Sequence, residues 1–224
     1  MKIRPVILCG GGGTRLWPKS SNNQAKQFIN FGGWSLFEKT LTRIKNPIFD
    51  YPIISTNSKY LKQVKYFLKK VKINNYEIIL EPLKKNTAPA VLCSSLLKKI
   101  PYKQPLLFLP SDHLVENINK FNKIILYNKK YLNNKNILVF GIKPTSPSTE
   151  YGYILTKKTK FKINEVIKFI EKPSKIKAKK IVKNNGYWNS GMLLARKESI
   201  INNFKKYQNN LYKNCLKSIN EAKY

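Results

Sequence analysis

VILCGGGGTRLWP, Val6 to Pro18, decides how the rest of the chain is read. Four apolar residues run straight into four glycines, and a Thr, an Arg and a Trp-Pro follow. An apolar run without alternation suits a strand buried on both faces. A glycine turn at the end of such a strand is where open α/β sheets take their ligands. Without Cβ atoms the backbone can come close to an anion and aim its N–H groups at it. Two common phosphate loops do not fit. A Walker loop needs G-x-x-x-x-G-K-[ST], but Arg15 and Leu16 follow Thr14. A dinucleotide fingerprint needs glycine where Arg15 stands.

Working outward, strand 5–9 has counterparts at 52–56, 76–80, 105–110 and 137–142, each short and rich in Val, Ile, Leu and Phe. Amphipathic stretches lie between them. Residues 34–44 open with Ser35 three places before Glu38, a capping-box pattern. Residues 57–71 put Leu61, Val64, Phe67, Leu68 and Val71 on one stripe, and residues 87–100 start with Thr87 as an N-cap candidate. Strands alternating with such helices predict an α/β fold, Rossmann-like and doubly wound, with a mostly parallel sheet.

The rhythm changes after residue 144. Residues 150–156 and 163–173 alternate as antiparallel strands do, 174–185 form a Lys-rich helix, and 186–196 make another strand. Residues 197–223 read as one or two polar helices. The expectation is a single domain over 1–224, with an α/β part at 1–144 and a small β-rich lobe at 145–224.

The chain has 224 residues, 42% of them hydrophobic, so a packed core is expected. No apolar run approaches the roughly 18 residues of a membrane span. Cys9, Cys93 and Cys215 form no C-x-x-C pair, and the lone His113 cannot complete a zinc set with them. Free thiols in a reducing cytoplasm are the simple reading. The net charge of +32 comes from 43 Lys+Arg against 11 Asp+Glu. The excess is almost all Lys, spread along the chain, whereas base reading leans on Arg. We read it as compositional drift on solvated faces, with no specific nucleic-acid site and no membrane partner; nonspecific polyanion binding is expected.

The longer string GGGGTRLWP…KQF resembles the G-G-x-G-T-R-L-W-P-x-S…P-K-Q-F signature of the mannose-1-phosphate guanylyltransferases, within the nucleotide-diphospho-sugar transferase superfamily. Further blocks follow in that family's order: EPLKKNTAPA (81–90), LPSDH (109–113), YGYI (151–154), FIEKP (169–173) and YWNSGM (187–192). Departures are Ala25 for the family's Pro, Ser21 for its Arg after W-P-x-S, and Lys85 for the Arg of R-N-T-A-P-A. Lys85 keeps the charge but loses a forked donor.

The resemblance implies a nucleotidyltransferase that joins GTP and mannose 1-phosphate into GDP-mannose and releases pyrophosphate, with Mg²⁺ between phosphates. It implies that 1–144 is the nucleotide-binding part and 145–224 the sugar-binding lobe, and that Gly10, Gly11, Gly13 and Thr14 bind the nucleotide. Arg15 would hold the leaving phosphates and Lys26 would stabilise charge at the α-phosphate. Asp112 would be the metal ligand. Glu81, Asn86, Thr87 and Pro89 would frame the nucleoside. Gly152, Glu171 and Asn189 would grip sugar hydroxyls, and Lys172 the sugar's phosphate. Read alone, Lys26 is one lysine among many, Glu171 and Lys172 suit a solvated ion pair, and Asp112 also suits the N-cap of a helix after 113. His113 is read as structural.

The family's later W-S-D-V-G-S-W block, whose Asp gives a second metal carboxylate, has no counterpart here. The expectation is therefore a chain shortened at its C-terminus. It is an enzyme alone, or one completed by a C-terminal polypeptide or by self-association. The alternatives are a nucleotide-binding remnant with little turnover, a pyrophosphorylase for another hexose 1-phosphate, and a Lys-rich polyanion binder.

Overall fold

The computed structural model describes residues 1–11, 25–82, 86–159 and 163–222. Its strands are β1 (Arg4–Cys9), β2 (Ile53–Asn57), β3 (Glu77–Glu81), β4 (Pro105–Pro110), β5 (Ile137–Ile142), β6 (Tyr153–Lys157), β7 (Glu165–Ile170) and β8 (Tyr187–Arg196). Its helices are α1 (Leu36–Arg43), α2 (Leu61–Lys70), α3 (Thr87–Leu96), α4 (Ile118–Asn128), α5 (Lys175–Lys183), α6 (Lys197–Tyr207) and α7 (Asn209–Asn220). Two compact units divide the chain: Met1–Leu138 with Leu193–Tyr224, and Val139–Met192.

The first unit is built on four parallel strands in the order β3-β2-β1-β4. Leu193–Arg196 of β8 add an antiparallel edge to β4. Successive side chains of a strand face opposite sides. Val6 and Ile7 both have 0% exposure, so both faces of β1 are covered. On one face Val6, Ile53, Leu106 and Phe108 pack with Val91 of α3 and Ile200 of α6. This is the open, mostly parallel α/β sheet that the apolar runs predict. β3, at the end of the order, is only half-buried.

Local signals set the helix starts. The Ser35 hydroxyl accepts from the Glu38 N–H at 3.1 Å, as the capping pattern predicts. At α3 the expected cap is off by one: Thr87 is already helical, and Asn86 is the N-cap with φ 64°. Asn tolerates that left-handed region better than Thr does. The helix expected after 113 starts only at Ile118, where the Asn117 side chain accepts from the Lys120 N–H at 2.8 Å. Asp112 is therefore not a helix cap.

The expected boundary at 145 is also corrected. Residues 193–224 return to the first unit instead of building the lobe. Their β8 segment pairs with β4, and α7 lays Cys215 and Ile219 against Leu92 and Leu96 of α3, with Cys93 packed on the same cluster. All three cysteines are free thiols, Cys9 and Cys215 buried. Lys197 closes this packing: its ammonium donates to the carbonyls of Leu97 (2.8 Å) and Ile100 (2.9 Å) beyond the end of α3. Lys197→Met keeps the stem but strands both carbonyls, and should cost about 1–3 kcal/mol. Urea denaturation followed by far-UV circular dichroism checks this.

In the second unit β6 and β7 are antiparallel, with a register shift at Leu155/Thr156, and β6 pairs with β8 at Tyr153↔Trp188. The α5 residues Ala178 and Ile181 pack on Tyr153, with Leu155, Ile170 and Trp188 around them. β5 pairs with β8 off the main path and is half-exposed, not the doubly covered strand its sequence suggests. Among the described residues no helix is long and apolar enough to cross a membrane.

Candidate active site

In the first unit the strand order reverses between β1 and β4, and the carboxyl ends of all four parallel strands share one edge. Ligands of open α/β sheets bind at such a switch point. Gly10 and Gly11 directly follow β1, Ser111 and Asp112 follow β4, and Glu81 closes β3. A Cβ on Gly10 would sit 3.2 and 3.3 Å from the two Glu81 carboxylate oxygens, so glycine lets the β1 turn and Glu81 approach one another. Among the described residues a Cβ on Gly11 would meet nothing within 4 Å. The Ser55 hydroxyl donates to Glu81 Oε1 at 2.7 Å, and Asn57 Nδ2 donates to the Glu81 carbonyl at 3.0 Å. Gly13, Thr14 and Arg15 lie outside the described residues, as do Ser21 and Lys85.

Lys26 stands on a short 3-10 turn, Lys26–Phe28. Its neighbours fix the turn from below. Gln27, buried, donates from Nε2 to the Gly11 carbonyl at 3.2 Å and reaches Cys9 Sγ at 3.7 Å. Phe28 is anchored among aromatic rings, 5.4 Å from Phe37 and 5.9 Å from Phe67. Ala25, where the family has Pro, keeps φ at −71°, a value proline also adopts. The Cys9 thiol is no nucleophile: burial pushes it up to about 12.

Lys26 Nζ lies 3.4 Å from Asp112 Oδ2, with both side chains about one-third exposed (35% and 36%). His113 Nε2 is 3.9 Å from Asp112 Oδ1. Beneath them Arg43 is buried, donating to the His113 carbonyl and the Thr40 hydroxyl, each at 3.4 Å, over the ring of Phe121. Burial lowers its guanidinium to about 10, still cationic at neutral pH.

Burial lowers the His113 pKa most, Arg43 and Lys26 lower it further, and Asp112 opposes them. The folded chain thus binds the imidazole proton less readily than the unfolded one. Stability should fall as pH drops below the ordinary value of about 6.5. Melting temperatures between pH 7.5 and 5 should drop more steeply for the wild type than for His113→Gln.

Asn86, Thr87 and Pro89 open α3 just after β3, on the same edge as Glu81. The Asn86 side chain makes no cap hydrogen bond. Among the described residues no group of three or more His, Cys, Asp or Glu could by itself hold a metal ion. Asp112 offers one partly exposed carboxylate. That suits Mg²⁺, which commonly takes one or two protein carboxylates and completes its shell with phosphate oxygens and water.

In the second unit three of the four expected sugar residues converge. A Cβ on Gly152 would lie 2.6 Å from Glu171 Oε2 and 3.8 Å from the Cβ of Asn189. The Asn189 N–H donates to the Gly152 carbonyl at 2.8 Å, and its Oδ1 accepts from the Gly191 N–H at 3.1 Å. Glu171 forms no ion pair among the described residues, so a solvated pair with Lys172 is not what the structure holds. Lys172 sits at φ 40° beside it in the chain.

Three contributors escaped the sequence reading: Gln27, Ser55 and Arg43. Gln27 lies inside the quoted K-Q-F. Ser55 is a polar residue in an otherwise apolar strand, which is a usable signal. Arg43 carries none beyond being one of four arginines.

The family model described as "Nucleotidyl transferase" matches residues 4–224. The chain belongs to that family. It is 35% identical to a mannose-1-phosphate guanylyltransferase of Escherichia coli over 98% of this chain and 50% of that one. It thus spans about half the length of the curated relatives it matches. A crystal structure described as mannose-1-phosphate geranyltransferase from Thermus thermophilus superposes with a TM-score of 0.86 at 26% identity, over 100% of this chain and 66% of the other. One described as mannose-6-phosphate isomerase from Helicobacter pylori gives 0.83 at 28%, over 100% and 82%. The matched family and its mannose-related relatives agree with the family resemblance carried by the ordered sequence blocks.

Proposed function

We propose that this chain makes GDP-mannose and pyrophosphate from GTP and α-D-mannose 1-phosphate. The observation that carries the proposal is the meeting of Lys26 and Asp112 beside the glycine turn, at the switch point of a nucleotidyl transferase sheet. A phosphate oxygen of the sugar attacks the α-phosphorus of GTP, and the bond to the β-phosphate breaks. Two anions meet and charge grows on the leaving oxygens, so the work is positioning and cationic stabilisation.

The backbone of Gly10 and Gly11 faces the nucleotide, and Gly13 and Thr14 are further nucleotide contacts. Arg15 holds the departing β- and γ-phosphates. Lys26 Nζ, carried on a turn braced by Gln27 and Phe28, stabilises the α-phosphate. Glu81, held by Ser55, and the Asn86–Pro89 start of α3 frame the nucleoside. Asp112 would hold Mg²⁺, which would supply charge neutralisation for the phosphates. Glu171 accepts from sugar hydroxyls, Asn189 donates its free amide hydrogens, and Lys172 binds the sugar's phosphate. The free thiols fit work in a reducing cytoplasm.

The test counts pyrophosphate from GTP, Mg²⁺ and mannose 1-phosphate, with glucose 1-phosphate in parallel. It is run with the chain alone and with a polypeptide matching the other half of the relatives' length. Release with mannose 1-phosphate is expected. Bound GTP with no release in any mixture would leave a nucleotide-binding module and remove the enzyme.

A further inference from the structure

Lys26 and Asp112 are assigned opposite ligands, a phosphate for the ammonium and a divalent cation for the carboxylate. In this structure they neutralise one another at 3.4 Å, and His113 Nε2 also stands 3.9 Å from the carboxylate. Neither can serve its ligand fully while it serves the other. We propose that the Lys26–Asp112 pair is a resting-state clasp that makes nucleotide and metal binding cooperative.

The proposal rests on the roles given to these residues under the proposed function. Whichever ligand arrives first opens the clasp. The second then finds its partner already free. Coupling of this kind is reciprocal: metal helps nucleotide by the same factor as nucleotide helps metal. Both side chains are about one-third exposed, and solvent-exposed ion pairs are weak, so the clasp contributes about two- to fivefold in affinity. Direct attraction between metal and triphosphate adds to the total, and the test must set it aside.

GTP binding is therefore measured by calorimetry in excess EDTA, where no metal competes. Four proteins are compared: wild type, Asp112→Ala, Lys26→Met and the double variant, each checked for an unchanged melting temperature. If the clasp exists, Asp112→Ala tightens metal-free GTP binding about two- to fivefold when Lys26 is present. The same change has no effect in the Lys26→Met background, where there is no ammonium to release. An equal gain in both backgrounds overturns the proposal, because Asp112 then merely repels the phosphates. No gain in either also overturns it.

As the reciprocal check, free Mn²⁺ is titrated by electron paramagnetic resonance without nucleotide. Lys26→Met should bind it about two- to fivefold tighter than wild type, and unchanged or weaker binding counts against the clasp. A separate result would indict the underlying reading instead. If Lys26→Met binds GTP as well as wild type in saturating Mg²⁺, Lys26 is not a phosphate ligand at all.

Discussion

Lys26→Ala is expected to release pyrophosphate at about one hundredth of the wild-type rate or less, as removal of a preorganised charge-stabilising group does elsewhere. The chain should stay folded. Lys26 is about one-third exposed, and its pair with Asp112 is a weak surface contact whose loss barely moves stability. Gln27 and Phe28, which hold the turn, are untouched by the substitution. The deficit should therefore appear in turnover, with the melting curve unchanged. Single-turnover measurement at saturating GTP, mannose 1-phosphate and Mg²⁺ reads it directly. A rate within a factor of a few of wild type would take Lys26 out of the chemistry and leave its ion pair a surface feature.

Gly152→Ala is the second large effect, and it acts through a carboxylate in place of a charge deletion. The added methyl would stand 2.6 Å from Glu171 Oε2, so that oxygen must move. A glutamate end is flexible, and Gly152 is not among the residues of positive φ, so the backbone accepts alanine. Stability should shift by no more than about 0.5 kcal/mol. If Glu171 grips the sugar, a displacement near an ångström lowers kcat/KM for mannose 1-phosphate by up to about 10²-fold. The KM for GTP should hardly change. Equal kinetics for both substrates would separate Glu171 from the sugar.

Much of this layout was legible in the residues. β1, β2 and β4 announced themselves as unbroken apolar runs because both their faces are covered. Ser35 and Glu38 announced the start of α1 because a hydroxyl three residues before a glutamate has one favourable local use. The ordered motif blocks brought Gly152, Glu171 and Asn189 to notice before any geometry joined them. What stayed hidden depended on tertiary choice. Asp and Asn are both residue types that cap helices, and only the path after β4 decides that Asn117 caps α4 and Asp112 does not. The C-terminal helices read as part of a lobe because polar surface residues outnumber the few that touch α3. β5 misled for the opposite reason: an apolar strand half-exposed has the same sequence as one fully covered. Arg43 left no trace, since burial of a guanidinium depends on distant elements.

Cys215, with the half-buried Cys93 packed against the same cluster, lies buried where α7 closes over α3. That helix begins at Asn86 and Thr87, on the edge where nucleotide is proposed to bind. The rate at which a small alkylating reagent reaches the Cys215 sulfur therefore counts how often the seam parts. The molecule carries its own gauge of breathing: slower labelling with GTP present would mean that the far side of α3 feels what happens at its first turn.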